Sequence, residues 1–331
     1  MRIPLPLRVI KNFHSYYLLK YGVLNHAVLT FKTQPDCLKV PLNKNLLLAQ
    51  WDHVKQLLKL VVAKEIEYHA DKNEMVVYSA DNQKRKEKFD LSCLASLRYA
   101  MDNQMDLTNT EDGLFQVYVP SKNCRFLVRK GNPSDLSTIK VVCEHDEYAF
   151  LYPFLVGKLV VDVGANIGDT AVLFIHKGAK QVEAFEIHPL LFNLAKKNIE
   201  LNGLSEKANI YDYGIGSIDG EMTMRDDSSL GPTAGFGLKE AKYGKQVIVK
   251  LKSLSSLIKR LGKIEVLKMD CEGAEFEIFG NLKADDLSKI DVIGLEYHRN
   301  PEPLIKKFKS NGFNVKIVSG NDSLGLLLAV R

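Results

Sequence analysis

Three stretches of this 331-residue chain hold carboxylates, glycines and a histidine at spacings that chemistry can use. In the first, Val160-Val161-Asp162-Val163-Gly164-Ala165-Asn166-Ile167-Gly168-Asp169-Thr170, an apolar run enters a glycine turn and then a helical pattern. Gly164 and Gly168 let the backbone approach a ligand closely, as in nucleotide-binding strand–turn–helix crossovers. A turn of this kind also serves plain strand-to-helix packing, and what separates the two readings is Glu186. It lies 24 residues after Asp162 at the end of the next strand-like run, where a carboxylate can accept both hydroxyls of an adenosine ribose. The spacing is Gly-x-x-x-Gly, not the Gly-x-Gly-x-x-Gly of a dinucleotide site, and Asp162 and Asp169 flank it. Two carboxylates repel a diphosphate but suit an ammonium and a sulfonium. S-adenosylmethionine is therefore the expected cofactor, and a nicotinamide is not.

The second stretch is Leu267-Lys268-Met269-Asp270-Cys271-Glu272-Gly273-Ala274-Glu275. A strand ends on Asp270, and a turn opens the next helix. Ligands of open α/β sheets sit beyond the carboxyl ends of the strands, which puts Asp270 and Glu272 on the same rim as Gly164 and Glu186. Glu275 reads equally as a site residue and as a helix-N-terminal carboxylate opposing the dipole. In the third stretch, Gly294-Leu295-Glu296-Tyr297-His298-Arg299, alternation turns Glu296 and His298 to one side of a strand. With an ordinary pKa of about 6.5, His298 is the natural general base. The bland alternative is a solvated loop histidine just past the strand. His188, beside Pro189, is placed at the adenine edge.

These residues need a scaffold that brings strand ends together, and the second half of the chain supplies its pattern. Strand-like runs at Lys158–Val163, Gln181–Ile187, Ala208–Tyr213, Val266–Asp270 and Val292–Tyr297 alternate with helical stretches at Asn166–Lys177 and Pro189–Asn202. That alternation indicates a parallel sheet flanked by helices. Asn314–Val318 and Gly325–Val330 are expected as an antiparallel pair at its end. Residues 214–263 read as an insertion, a hairpin with a long tip of the sort that covers substrates. The first half is an α+β accessory region, with helices at Leu46–Lys64 and Leu91–Gln104. Its strands are expected at Ala27–Lys32, Met75–Ser79, Phe115–Val119, Arg125–Arg129 and Thr138–Cys143. The expected division is 1–146 and 147–331.

Composition narrows the partners. At 46% hydrophobic and 26% charged, the chain can bury a core. It has no apolar run long enough to span a membrane. Five cysteines without a paired spacing support neither a disulfide framework nor a zinc site, so a cytoplasmic location is expected. The net charge is +5, of which residues 1–150 hold +4, with 21 basic against 17 acidic side chains. The densest basic cluster, Lys84, Arg85, Lys86 and Lys88, reads as a solvated loop or helix end. Nucleic acid is not the expected partner. The sequence carries no signal of oligomeric state.

The series Val-Asp-Val-Gly-Ala-Asn-Ile-Gly-Asp-Thr, Ala-Phe-Glu-Ile-His-Pro, Lys-Met-Asp-Cys-Glu-Gly-Ala-Glu and Leu-Glu-Tyr-His, in this order, resembles the FkbM family of S-adenosylmethionine-dependent methyltransferases. The likeness runs from about Asp146 to Arg331, and Asp146-Glu147-Tyr148 is similar to that family's entry to the domain. It implies a class I methyltransferase (Rossmann-like) α/β fold: a seven-stranded, mostly parallel sheet with its last strand antiparallel. It implies methylation of a hydroxyl on a sugar, lipid or small metabolite. The cofactor would be held by Asp162, Gly164, Ala165, Asn166, Gly168, Asp169, Thr170, Glu186 and Ile187. The catalytic group would be His298 with Glu272 and Asp270. This sequence has Ile187-His188-Pro189 where the family more often has Pro directly after Glu. No metal is assigned; a metal-assisted variant would use Asp270, Glu272, Glu296 and His298, since oxygen-rich clusters suit magnesium. An RNA methyltransferase, suggested by Asn198–Leu204, lacks the Asn/Asp-Pro-Pro-Tyr motif after the Val266–Asp270 strand. The third reading is a cofactor-binding protein without activity.

Overall fold

The computed structural model describes residues 112–226 and 245–331 continuously. Before them it describes residues 96, 99, 100 and 103–110, and the strands His26–Lys32, Cys37–Asn43, Ile66–His69, Glu74–Tyr78 and Lys84–Lys88. The chain forms two compact units, Met1–Phe115 with Arg129–Pro133, and Gln116–Val128 with Ser134–Arg331.

In the first unit, His26–Lys32 pairs antiparallel with Cys37–Asn43. Ile66–His69, Glu74–Tyr78 and Lys84–Lys88 form a three-stranded antiparallel sheet. The basic cluster is therefore an edge strand, not a loop or helix end. The expected helix Leu46–Lys64 lies outside the described residues; of Leu91–Gln104, residues 96, 99 and 100 are helical. Among the described residues, no helix is long and apolar enough to cross a membrane.

The second unit holds the chemistry. One expectation fails here: Thr138–Cys143 is not a strand. Helix Pro133–Ile139 runs on into a wider helical turn, Lys140–Glu144. The β-branched run Thr-Ile-Lys-Val-Val masked a helical stripe, since Leu136, Ile139, Val142 and Cys143 are buried at spacings of three, three and one. Pro133 starts the helix, where its missing N–H costs nothing.

The central sheet contains β1 (Leu159–Val163), β2 (Gln181–Phe185) and β3 (Ala208–Tyr211). The insertion adds β4 (Gly214–Gly216), β5 (Gly220–Asp226) and β6 (Lys245–Ser253) as a separate small sheet. The central sheet resumes with β7 (Ile264–Met269), β8 (Ile290–Tyr297), β9 (Asn314–Gly320) and β10 (Gly325–Val330). Its seven strands run in the order β3-β2-β1-β7-β8-β10-β9. The first five are parallel, and β10 is antiparallel to both β8 and β9. This is the mostly parallel α/β sheet expected from the sequence. The order reverses between β1 and β7, so a crevice opens beyond their carboxyl ends.

Helices α1 (Asp169–His176), α2 (Pro189–Leu201), α3 (Leu254–Leu261), α4 (Glu275–Asn281) and α5 (Glu302–Ser310) cover the sheet. Strands buried on both faces are near-continuous apolar runs, and Val160, Val161, Leu267, Ile293 and Leu295 are all fully buried. On one face Leu257, Ile258, Phe279 and Phe308 pack against Leu267, Met269 and Ile293. Each such side chain contributes roughly 1.5–3 kcal/mol by leaving water. The insertion is a hairpin, as expected: β5 and β6 pair antiparallel from Gly220↔Leu251 to Asp226↔Lys245. Its tip, residues 227–244, lies outside the described residues.

Candidate active site

Strand β1 ends at Gly164, whose φ of +76° favours glycine. A Cβ there would stand 1.8 Å from the backbone oxygen of Asp270. The ends of β1 and β7 are thus in direct backbone contact, and the Asp270 N–H donates to Val163 O at 3.0 Å. Gly168, also left-handed, lets the turn close on α2, since a Cβ would lie 3.1 Å from Ala195 Cα. Beside these turns lies a cavity of about 240 Å³, lined among others by Gly164, Asn166, Asp169, Thr170, Lys268 and Asp270.

Beneath the cavity is a buried charge cluster. Asp162 is fully buried, accepts from the Thr170 hydroxyl, and lies 3.0 Å from Lys268 Nζ. Lys268 also donates to Gly164 O at 2.8 Å, which ties the glycine turn to β7. Burial alone would strip its proton, but Asp162 and then Asp270 hold the ammonium firmly charged. Asp162 is absent from the cavity wall: its bonds run inward, and it anchors the turn from below. Lys268 has no counterpart among the residues picked out from the sequence. One signal marks it, a single lysine inside the apolar run Val266–Met269.

Asp169 is 2% exposed, and its Oδ1 takes no hydrogen bond from the described residues. Burial, with Asp162 and Asp270 adding to it against the opposing pull of Lys268, pushes its carboxyl up to about 7. An orphaned buried acceptor on a cavity wall calls for a donor from a ligand. Glu186 is also buried, and its oxygens accept the Asn166 and His188 N–H groups, each at 2.8 Å. Burial pushes it up to about 7, against the help of those two N–H groups. Each oxygen keeps a second lone pair. Asn166 adopts φ +50° to make this bond. Ala165 is buried in the same turn, and Ile187 fills the space that a Cβ on Gly214 would need, its Cδ1 2.7 Å from that position.

Across the crevice stands the second group. Tyr148, buried, donates to Asp270 Oδ2 at 3.3 Å; Leu151 nearby occupies the space Gly294 leaves open on β8. His298 and Glu296 share one side of the strand end, as alternation requires, with Nε2 3.9 Å from Glu296 Oε1. His298 Nε2 is 3.4 Å from Glu272 Oε2, and Nδ1 is 3.3 Å from Glu275 Oε1. The hydrogen bond to Glu275 foremost, opposed by burial and aided by Asp270 and Glu272, pushes His298 up to about 9. The ring thus carries a proton through neutral pH, and its basic form belongs to the alkaline range. Glu296 is pushed up as well, by burial first and then by the charges of Asp270 and Glu147. Glu272 follows, through burial and Asp270. Asp270, Glu296 and His298 each offer an atom within 4.8 Å of the others; both nitrogens of that ring face carboxylates, and the cluster stands as an ion-paired group.

Residues 162–315 match the methyltransferase FkbM domain, from the first aspartate of the glycine turn into β9. Just under half of the chain is thus similar to that domain. Shorter likenesses exist to curated proteins. The ribosomal protein L11 methyltransferase of Bacillus pumilus is 41% identical over 51 residues, 15% of this chain and 16% of that protein. That of Carboxydothermus hydrogenoformans is 34% identical over 59 residues, 18% and 19% of the two chains. The aligned stretch spans under a fifth of either relative. Among solved structures, a putative rRNA-methylase from Clostridium thermocellum superposes with a TM-score of 0.38 at 10% identity, covering 56% of this chain and 94% of that one.

The similarity to the FkbM domain implies S-adenosylmethionine as cofactor. The residues fit it. Asp169 Oδ1, unpartnered on the cavity wall, suits the cofactor's ammonium. Glu186, held by two backbone donors, retains the lone pairs that ribose hydroxyls require.

Proposed function

We propose that this chain is an S-adenosylmethionine-dependent methyltransferase acting on a hydroxyl oxygen of a sugar, lipid or small metabolite. Bound S-adenosylmethionine supplies an electrophilic methyl group; the chain positions the acceptor, excludes water and takes up a proton. What supports the reading is the place of Asp270. It lines the cofactor cavity and is one of the acids around His298, so donor and acceptor sites adjoin at one strand end. Asp169 and Glu186 bind the cofactor in this scheme, on the floor tied by Lys268. Glu272, with its side chain 58% exposed, orients the acceptor. His298 accepts its proton through Nε2 in the unprotonated form.

The rim bears on the class of acceptor. Glu147, Asp270, Glu272 and Glu296 crowd together there, and burial first, then the charge of Asp270, raises the carboxyls of Glu147, Glu272 and Glu296. Such a field disfavours phosphates and suits a neutral hydroxylated molecule. Methyl-labelled S-adenosylmethionine, incubated with the protein and fractionated cell extract, tests the reading. Label in neutral hydroxylated metabolites, glycans or lipids is expected. Label in RNA would move the acceptor to nucleic acid. Calorimetric cofactor binding with no labelled fraction would leave a binding protein without activity.

A further inference from the structure

We propose that Glu275 is the positioning residue of the acceptor site: it holds the His298 ring with Nδ1 turned inward and Nε2 turned to the rim. The inference rests on the reading of His298 given above and adds to it a residue that the sequence left undecided between site and helix end.

Glu275 is the first residue of α4 and is wholly buried, with 0% exposure. A carboxylate taken out of water so completely must be compensated by donors. Its two oxygens divide that task. Oε2 accepts the Gly273 N–H at 2.9 Å and faces Cys271 Sγ at 3.5 Å, which is the local duty of a turn. Oε1 does something a turn does not need: it accepts the His298 N–H at 3.0 Å and meets His298 Nδ1 at 3.3 Å. One oxygen thus grips the backbone and the ring of a residue 23 positions away. Burial would raise the Glu275 carboxyl, yet the donors from His298 and the backbone outweigh it and hold it below its ordinary value.

This grip has two consequences for Nε2. With Nδ1–H committed to Glu275, any lone pair of the neutral ring lies on Nε2, which faces Glu272 and Glu296. The charges facing the ring come from three places: Asp270 and Glu272 in the loop after β7, Glu275 on α4, and Glu296 on its own strand. Of these only Glu275 is hydrogen-bonded to Nδ1 and shielded from solvent, so its negative charge acts least screened.

Isotope-labelled imidazole NMR reads this without acceptor or turnover. The chain has eight histidines, and a His298→Gln protein identifies the resonance. In Glu275→Gln, which keeps the size and removes the charge, the His298 titration midpoint should fall by at least about one pH unit. An unchanged midpoint in folded Glu275→Gln overturns the proposal. Should that variant not fold, the wild-type ring decides: above its titration the proton must reside on Nδ1, and a proton on Nε2 overturns it. With an acceptor in hand, the rising limb of the pH–rate curve should move to lower pH in Glu275→Gln while cofactor KM holds; a limb that stays in place counts against the positioning. A shifted NMR midpoint beside a protein that methylates nothing would keep the positioning and sink the methyltransferase reading.

Discussion

The two sides of the crevice are charged in opposite manners. On the cofactor side, Asp162, Asp169, Glu186 and Lys268 are all nearly or wholly buried, and backbone groups or one another satisfy most of their polar atoms. On the acceptor side, Glu272, Glu296 and His298 keep some exposure and crowd together with few backbone donors. The first side is a fixed electrostatic floor and the second, in the proposed scheme, a proton-handling rim. The contrast teaches where a substitution should unfold the protein and where it should only slow it.

The largest effect is expected on the floor. Lys268→Met leaves Asp162 buried without its partner, which should cost about 3–5 kcal/mol, read by thermal or denaturant unfolding. A loss under about 1 kcal/mol would erase the distinction between floor and rim. On the rim, His298→Ala should lower turnover on the order of 10²-fold while calorimetric cofactor affinity stays put. A parallel loss of affinity would show that the two sides are not separate. Asp169→Asn tests the floor's outward face. Removing the charged acceptor should weaken the cofactor by about 1.5–3 kcal/mol.

The pH effects are smaller and differ in sign. Asp169 and Glu186 are pushed up to about 7 in the folded protein. An acid whose proton is held more tightly when folded contributes stability below its ordinary pKa, lost as pH rises through about 7. Asp169→Asn should therefore gain stability relative to wild type at pH 8 and not at pH 4. Cofactor binding wants both acids ionised, so calorimetric affinity should fall as pH drops below about 7. Turnover should also rise with pH, but over a higher range, as His298 loses its proton toward about 9. Chelator should leave that profile unchanged; a loss of turnover restored by magnesium would recast the rim as a metal site.

Much of the floor was legible before any coordinates. Buried parallel strands are written as apolar runs, and β1, β2, β7 and β8 fell where those runs are. The glycine turn and Glu186 declared themselves by spacing. For Asp162, spacing tells that a carboxylate stands near the end of a strand but not that its bonds run to Thr170 and Lys268. Lys268 stayed hidden since its meaning lies in two aspartates, one about a hundred residues upstream in sequence. Glu275 stayed ambiguous for the same reason: its local duty at the turn is real, and only the fold brings His298 to its other oxygen. The Thr138–Cys143 segment failed because β-branched residues at helical spacing satisfy both templates until burial chooses.

The contact between Gly164 and the Asp270 carbonyl sets a limit on divergence in this architecture. The donor loop and the acceptor loop meet through main chain, hydrogen-bonded strand to strand, with no side chain between them. In the proposed scheme, the distance a methyl group has to travel is then tied to sheet spacing, which ordinary side-chain substitution leaves alone. On that scheme, changes at the rim would alter which molecule receives the methyl group, while the gap it crosses stays the same.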